Sequence, residues 1–226
     1  DASSAAVETE ATRSAWDAGR KALEQHLGTS GVRASVARAG RQSYQVDYAL
    51  PPHPVSVSIL LPSRCEPRLI EACLESLLTR TTYAHYEVLL VVNERDRAAA
   101  DRVEALTRFV HSSRVRVLTY LDRPFNYSWV NNWAAGQASG GLLCFLNDDT
   151  TVITPNWLER LIARTCQPGV AAAGPMLRYP DGRIQHAGVI LGLGGVAGHA
   201  CHGLPSGACG YLDRACLEQD VTCLTA

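Results

Sequence analysis

From Val55 onward the chain alternates short apolar runs with segments whose apolar residues recur at helical spacing, and few folds accept that pattern. Val55, Val57, Ile59 and Leu61 alternate with Ser56, Ser58 and Leu60 before Pro62 closes the run, as a mostly buried strand would. Leu69, Ile70, Cys73, Leu74, Leu77 and Leu78 follow as one helical stripe. The alternation repeats. Residues 88–92 read as a strand, residues 98–110 as a helix with Val103, Leu106, Phe109 and Val110 inward, and residues 115–120 as a strand. Ser128 then opens a helix to about Ala138, and residues 142–146 form a short, continuous apolar strand. Thr154 as N-cap and Pro155 at the first helical position lead into Trp157, Leu158, Leu161 and Ile162. Repeated strand–helix units predict an α/β fold with a mostly parallel sheet flanked by helices.

The flanks differ. Residues 1 to about 28 are Ala-rich and charged, with Ala15, Trp16, Ala22, Leu23 and Leu27 at irregular helical spacing, and Gly28 ends what reads as a peripheral helix. A Val-containing stretch and the alternating residues 44–48 come next, and Leu50-Pro51-Pro52-His53-Pro54 marks a boundary. The expected organisation is therefore a helical extension and linker over residues 1–52 and a main domain over residues 53–226. After Cys166, residues 170–173 suggest another strand, and Tyr179-Pro180-Asp181-Gly182 is a turn signal. Gly recurs too often over residues 186–210 for a regular helix, which predicts loops and short irregular strands over one face of the sheet.

Charge removes some function classes. With 21 Lys plus Arg against 22 Asp plus Glu, the net charge of -1 argues against a broad cationic surface for nucleic acid or anionic lipid. Any anionic ligand must be held locally. No stretch approaches the roughly 18 consecutive apolar residues of a membrane span, so the chain reads as soluble. It starts at Asp1 with neither an initiator Met nor a basic-then-apolar leader, as an excised piece of something longer would. The eight cysteines show no two-residue spacing of the zinc-ribbon or thioredoxin kind, and Cys144 lies inside an apolar run. Reduced cysteines and a reducing compartment are expected.

In an open parallel sheet, ligands bind beyond the carboxyl ends of the strands, where helix N-termini and short loops converge. That rule selects Pro62-Ser63-Arg64, Asn93-Glu94-Arg95-Asp96, residues 125–132 and Asn147-Asp148-Asp149-Thr150. The last places two carboxylates and an amide oxygen at the sheet edge, where a hard cation can bind. Magnesium takes one or two protein carboxylates and completes its shell with water and substrate phosphates. On spacing alone a simple turn is an equal reading, since Asn, Asp and Thr are common turn formers.

The neighbouring residues carry a resemblance. Asn132-Trp133-Ala134, followed by residues 138–149 (Ala-Ser-Gly-Gly-Leu-Leu-Cys-Phe-Leu-Asn-Asp-Asp), resembles the family 2 glycosyltransferase signature of Asn, a small residue, an apolar strand and Asp-x-Asp. Residues 55–64 resemble that family's opening strand and nucleotide loop, and residues 86–92 its second strand. Phe125-Asn126-Tyr127-Ser128, residues 180–188 and residues 194–199 resemble a bacterial subgroup of surface polysaccharide and O-antigen synthesis. Coverage is about residues 55–226.

The resemblance implies a GT-A fold and inverting transfer of a sugar, of hexosyl or rhamnosyl type, from a nucleotide diphosphate donor to a glycan or lipid-linked glycan acceptor. It implies Mg2+ or Mn2+ as cofactor, a location in the cytoplasm or at the cytoplasmic face of the inner membrane, no nucleic acid partner, and further domains of a longer polypeptide. Pro62, Ser63 and Arg64 match the base and ribose loop, Asn93 the base contact, and Asn132 the Asn of the pre-strand helix. Asn147 and Asp149 match the outer positions of Asp-x-Asp; Asp149 is the principal metal ligand, and Asp148 a second ligand or donor contact. The family has Asp where this chain has Asn93 and Asn147, which keeps an acceptor oxygen and drops a charge. The general base is expected beyond Ala226, with Glu218 and Asp220 candidates by position only.

The rivals are weaker. The His and Cys residues of the tail (His186, His199, Cys201, His202, Cys209, Cys216, Cys223) match no zinc spacing, and His186 and His199 are expected to line the acceptor cleft or satisfy loop carbonyls. Residues 192–197 imitate a dinucleotide loop, but Gly198, Gly203 and Pro205 prevent the helix it needs. A nucleotidyltransferase should carry a Gly-rich loop after the first strand, and residues 61–67 contain no Gly. A non-catalytic nucleotide-sugar-binding module remains as the alternative. Trp129 and Trp133, four apart, are expected in the core.

Overall fold

The computed structural model describes residues 10–40, 43–94, 106, 109, 112–121 and 123–225. Two compact units divide the chain, one of Leu50–Cys166 and one of Asp1–Ala49 with Gln167–Thr225.

The first unit is built on four parallel strands, β3 (Val57–Ser63), β4 (Tyr86–Asn93), β5 (Val115–Tyr120) and β6 (Leu142–Phe145), in the order β5-β4-β3-β6. β3 is central, and its residues Val57 to Leu61 are all buried. Its alternation feeds two layers. Ile59 and Leu61 join Val88, Leu90, Ile70, Leu74, Leu77, Leu158 and Ile162 on one face, while Leu60 joins Leu89, Val91, Val130 and Ala134 on the other. Each fully buried Leu or Ile contributes about 1.5–3 kcal/mol. Helices α2 (Pro67–Arg80) and α4 (Trp157–Thr165) supply the first face, and α3 (Tyr127–Ala135) supplies the second. The α/β arrangement of a parallel sheet with flanking helices is thus the one the alternation predicts.

Pro67 sits at the start of α2, where its missing N–H costs nothing. Of the predicted stripe, Leu69 is exposed. Asn126 caps α3, its Oδ1 accepting from the Trp129 N–H at 2.9 Å, so the helix starts one residue before Ser128. Thr154 is not an N-cap: its carbonyl accepts from the Trp157 N–H at 3.1 Å, and Thr154-Pro155-Asn156 form a turn ahead of α4. The helix expected over residues 98–110 lies outside the described residues except for Leu106 and Phe109, which are both buried in the core.

The amino ends of the strands are joined by a polar staple. Ser58 Oγ donates to Glu87 Oε1 at 2.6 Å, and the Ser139 N–H and Oγ donate to the same oxygen at 2.9 and 2.7 Å. Arg116 reaches Glu87 Oε2 at 3.3 Å, and the Gly140 N–H donates to Ser58 Oγ at 2.9 Å. Burial opposes ionisation of Glu87, but the hydrogen bonds from Ser58, Ser139 and Arg116 outweigh it and hold the carboxyl down at about 2. The segment leading into β6 is thereby tied to Ser58 of β3 and Glu87 of β4 before the first apolar residue of β6.

In the second unit, α1 (Glu10–Thr29) precedes the antiparallel pair β1 (Ala34–Ala39) and β2 (Ser43–Tyr48). Trp16 holds this part together: its ring meets Tyr44 edge-on at 4.9 Å, its carbonyl accepts from the Tyr44 hydroxyl at 2.8 Å, and Arg38 lies over it at 4.2 Å. The rest consists of short pairs, β7 (Leu177–Arg178) with β8 (Ile184–His186) and β9 (Val189–Leu191) with β10 (Ala197–His199). Residues 170–173 form no strand; three of the four are Ala, which is depleted in strands. Cys209 and Cys216 are joined in a disulfide, contrary to the all-reduced expectation, while Cys65, Cys73, Cys144, Cys166, Cys201 and Cys223 are free.

Candidate active site

The carboxyl ends of β3 and β6 meet in one polar corner. Ser63 Oγ, at the last residue of β3, donates to Asp148 Oδ2 at 2.5 Å and accepts from the Cys65 N–H at 2.7 Å. Cys65 is buried with φ at 55°, so the chain turns sharply there into α2. Asn147 offers its carbonyl to Thr150 Oγ1 at 2.8 Å, which closes the Asn147–Thr150 turn. The turn expected of Asn147–Thr150 is therefore present. Asp148 is half-buried and engaged, whereas Asp149 is exposed and has no hydrogen-bond or ion-pair partner among the described residues.

Behind the corner lies Cys73 on α2. Burial, then the charges of Asp148 and Asp149, push its thiol up to about 12 against a hydrogen bond with Thr150. It stays a thiol at neutral pH and offers no thiolate. The donors of the corner are oxygens, which suits a hard cation. No group of three or more His, Cys, Asp or Glu among the described residues can hold a metal ion. Two carboxylates and the Asn147 oxygen fit a cation that a diphosphate helps to bind, not one held in an all-protein cage.

The remaining predicted residues lie apart from this contact. Pro62 ends the buried run of β3, and Arg64 is exposed just beyond Ser63. Asn93 ends β4 and donates from Nδ2 to the Arg123 carbonyl at 3.4 Å, while Arg95 and Asp96 lie outside the described residues. Asn132 is exposed on α3. Its neighbour Asn131 is the buried one, with Nδ2 donating to the Tyr127 carbonyl at 2.9 Å and Oδ1 buried without a partner among the described residues. Trp129 and Trp133 pack against the Leu60, Leu89 and Val91 layer, as expected of core residues, and both keep partial exposure.

Cys73, read in the sequence only as part of the α2 stripe, lies behind this corner with its Sγ 4.0 Å from the Asn147 carbonyl oxygen, and Arg123, not singled out in the sequence, offers its carbonyl to Asn93. In the second unit, His186 is buried, with its Nδ1 3.0 Å from His199 Nδ1 and its Nε2 accepting from the Gly188 N–H at 3.3 Å. It satisfies a neighbouring histidine and a backbone N–H, not a loop carbonyl.

Comparison with known proteins supplies the family. Residues 58–189 match the family described as "Glycosyl transferase family 2". The chain belongs to glycosyltransferase family 2. It is 42% identical over 226 residues to "Uncharacterized protein y4gI" of Sinorhizobium fredii, covering 99% of this chain and 24% of that protein. It is 43% identical over 193 residues to "O-antigen biosynthesis protein RfbC" of Myxococcus xanthus, covering 85% of this chain and 15% of that protein. The chain therefore spans a quarter or less of the curated relatives it matches. A solved mannosyltransferase of Pyrobaculum calidifontis, PcManGT in complex with GDP-Man and Mn2+, aligns over 58% of this chain and 38% of that one with TM-score 0.44 and 17% identity. In this family 2 chain no helix among the described residues is long and apolar enough to cross a membrane.

Proposed function

We propose that the domain over residues 53–226 takes a sugar from a nucleotide diphosphate sugar and transfers it, with inversion, to a glycan or lipid-linked glycan acceptor in bacterial surface polysaccharide synthesis, at the cytoplasmic face of the membrane. The observation that carries the reading is the Ser63–Asp148 hydrogen bond, which brings the nucleotide loop and the Asp-x-Asp-like turn into one corner beside a free Asp149. The similarity to an O-antigen biosynthesis protein supports the glycan class.

In this reading Ser63 fixes Asp148, leaving its second oxygen and the Asp149 carboxylate to face the donor. Asn147 adds an uncharged acceptor. Pro62 and Arg64 border the donor on the β3 side, Asn93 lies toward its base, and Asn132 stands on the pre-strand helix. Mg2+ or Mn2+ bound at the corner would stabilise the negative charge that grows on the departing diphosphate. Inversion requires the acceptor hydroxyl to lose its proton on the opposite face of the sugar.

A thermal-shift screen of nucleotide diphosphate sugars tests this. A cognate donor at a hundredfold excess over its Kd stabilises by about 2.7 kcal/mol, which raises Tm by roughly 5–10 °C for a chain of this size. With a tenfold gain in affinity from the metal, the shift in Mn2+ is expected to be about twice that in EDTA. A screen in which no nucleotide sugar shifts Tm in either condition contradicts the proposal. Binding without transfer to any glycan acceptor selects the non-catalytic module, which the amides Asn93 and Asn147 favour.

A further inference from the structure

The β9–β10 hairpin of the second unit is apolar on both faces, and the reading above gives it no task. Leu191 pairs with Ala197, Ile190 with Gly198 and Val189 with His199, and successive residues of a strand point to opposite faces. Ile190 is 51% exposed and Leu191 58%, so each face shows an aliphatic side chain to solvent. The tip adds Leu193 at 51% and Val196 at 83%. Leu193 lies over Gly198, where a Cβ would stand 2.6 Å from its Cδ2, so it extends the Ile190 face. A Cβ on Gly192, Gly194 or Gly195 would meet nothing within 4 Å, so the turn stands clear of its surroundings.

Charge and backbone bonding set this hairpin apart from an ordinary surface loop. From Ile184 to Leu212 the sequence contains no Asp, Glu, Lys or Arg, in a chain whose charged share is 19%. His199 stands at the open end of the ladder, away from the tip. Within the turn, the Gly192 N–H donates to the Val196 carbonyl at 2.8 Å, and the Gly192 carbonyl accepts from the Gly195 N–H at 3.3 Å. At the open end, the Val189 N–H donates to the Cys223 carbonyl at 3.1 Å and the Ala200 N–H to the Gly188 carbonyl at 2.8 Å. An apolar phase penalises unbonded backbone groups heavily, and a turn that bonds its own avoids much of that cost.

We infer that the tip of this hairpin, Ile190 to Val196, inserts into the surface of a lipid leaflet and anchors the chain there without cationic contacts. The inference rests on the membrane-face location in the proposed function and names the element that holds the chain to it. A protein partner laid against a two-stranded hairpin covers one face and leaves the other in water. Acyl chains surround both, which is what Ile190 and Leu191, on opposite faces, require. The charge match points the same way. An uncharged tip suits a hydrocarbon phase, where a charged side chain is costly. With no Lys or Arg in the hairpin and a net charge of -1 on the chain, anionic headgroups gain no partner there. Binding strength then follows the apolar area buried, and a few aliphatic side chains give a reversible anchor.

Flotation of the whole chain with vesicles of phosphatidylcholine alone, and of phosphatidylcholine and phosphatidylglycerol in equal parts, tests it. Wild type should bind both within about twofold of each other, at low and at high salt. Leu193→Asp combined with Val196→Asp should weaken binding by about tenfold or more, while calorimetry of a nucleoside diphosphate without vesicles matches wild type. Should that double variant misfold, Val196→Trp decides: its emission should move to the blue with vesicles beyond any change in the four native tryptophans. Wild type that binds neither vesicle, or only the anionic one at low salt, would overturn the insertion, as would a double variant that binds like wild type or a Val196→Trp emission that ignores vesicles. Self-association of a wild type that ignores vesicles, abolished in the double variant, would overturn it in favour of a second copy over the hairpin. Nucleoside diphosphate binding without vesicle binding defeats the anchor alone; vesicle binding without nucleoside diphosphate binding defeats the donor reading alone.

Discussion

Ser63 Oγ donates to Asp148 Oδ2 at 2.5 Å, across 85 residues of sequence, and so ties the end of β3 to the turn after β6. Two adjacent carboxylates thereby receive different roles. Asp148 is spent in part on holding the corner together, whereas Asp149 is exposed, and the proposed function gives the cation to Asp149.

Removal of that hydroxyl should be felt in stability as well as in binding. Ser63→Ala takes away the donor to a half-buried carboxylate and the acceptor of the Cys65 N–H, at a cost of about 1–3 kcal/mol. Urea denaturation measures the loss, and calorimetry should show nucleoside diphosphate binding weakened with it. A variant as stable and as tight-binding as wild type would separate Ser63 from the corner.

At the opposite end of the sheet, the Glu87 staple sets an acid limit. Its carboxyl is held at about 2 against an ordinary 4.5, so its contribution is complete above pH 4.5 and is lost as pH falls from there toward 2. The unfolding free energy of wild type should fall over that window more steeply than that of Glu87→Gln. Parallel curves would show that Ser58, Ser139 and Arg116 do not hold the ionised form.

Gly140 is required by space. A Cβ there would stand 2.5 Å from the Ser58 backbone nitrogen and 2.8 Å from the Val57 carbonyl carbon, neither of which can swing aside. Gly140→Ala should cost about 1–3 kcal/mol through displacement of β6 from β3. Chemical denaturation within 0.3 kcal/mol of wild type would contradict the close approach.

His186 gives the second unit a dependence of its own. Burial, and then the charge of His199, push its pKa below the ordinary 6.5, so the folded form resists the proton that the unfolded chain accepts. Stability should therefore fall as pH drops below 6.5, and His186→Gln should flatten that slope. Because Nε2 accepts from the Gly188 N–H, the proton belongs on Nδ1, facing His199 Nδ1. Nitrogen NMR of the imidazole reads that tautomer; an Nε2–H form would break this account.

β3 and β4 were legible because they are buried on both faces and read as apolar runs, and α2 and α4 showed their stripes; β5 and β6 are only partly buried, with Leu143 and Phe145 exposed, and were legible from their place in the alternation. The start of α4 was not, since Thr154-Pro155 serves equally as a turn, and the Ala-rich residues 170–173 imitate a strand by apolarity alone. The carboxylates of the corner were visible as a motif, but their division of labour depends on Ser63, far away in sequence. The Asn93 to Arg123 tether is equally invisible along the chain. A pairing such as Cys209 with Cys216 cannot be read from spacings, because several connectivities share one sequence.

The most direct measurement is calorimetric titration of a nucleoside diphosphate into wild type and Asp149→Ala, each with Mn2+ and with EDTA. Wild type should gain about tenfold in affinity from the metal, about 1.4 kcal/mol, and Asp149→Ala should bind alike in both conditions. A wild type indifferent to Mn2+, or an Asp149→Ala that keeps the whole gain, would contradict the assignment of the corner to a cation and the diphosphate beside it.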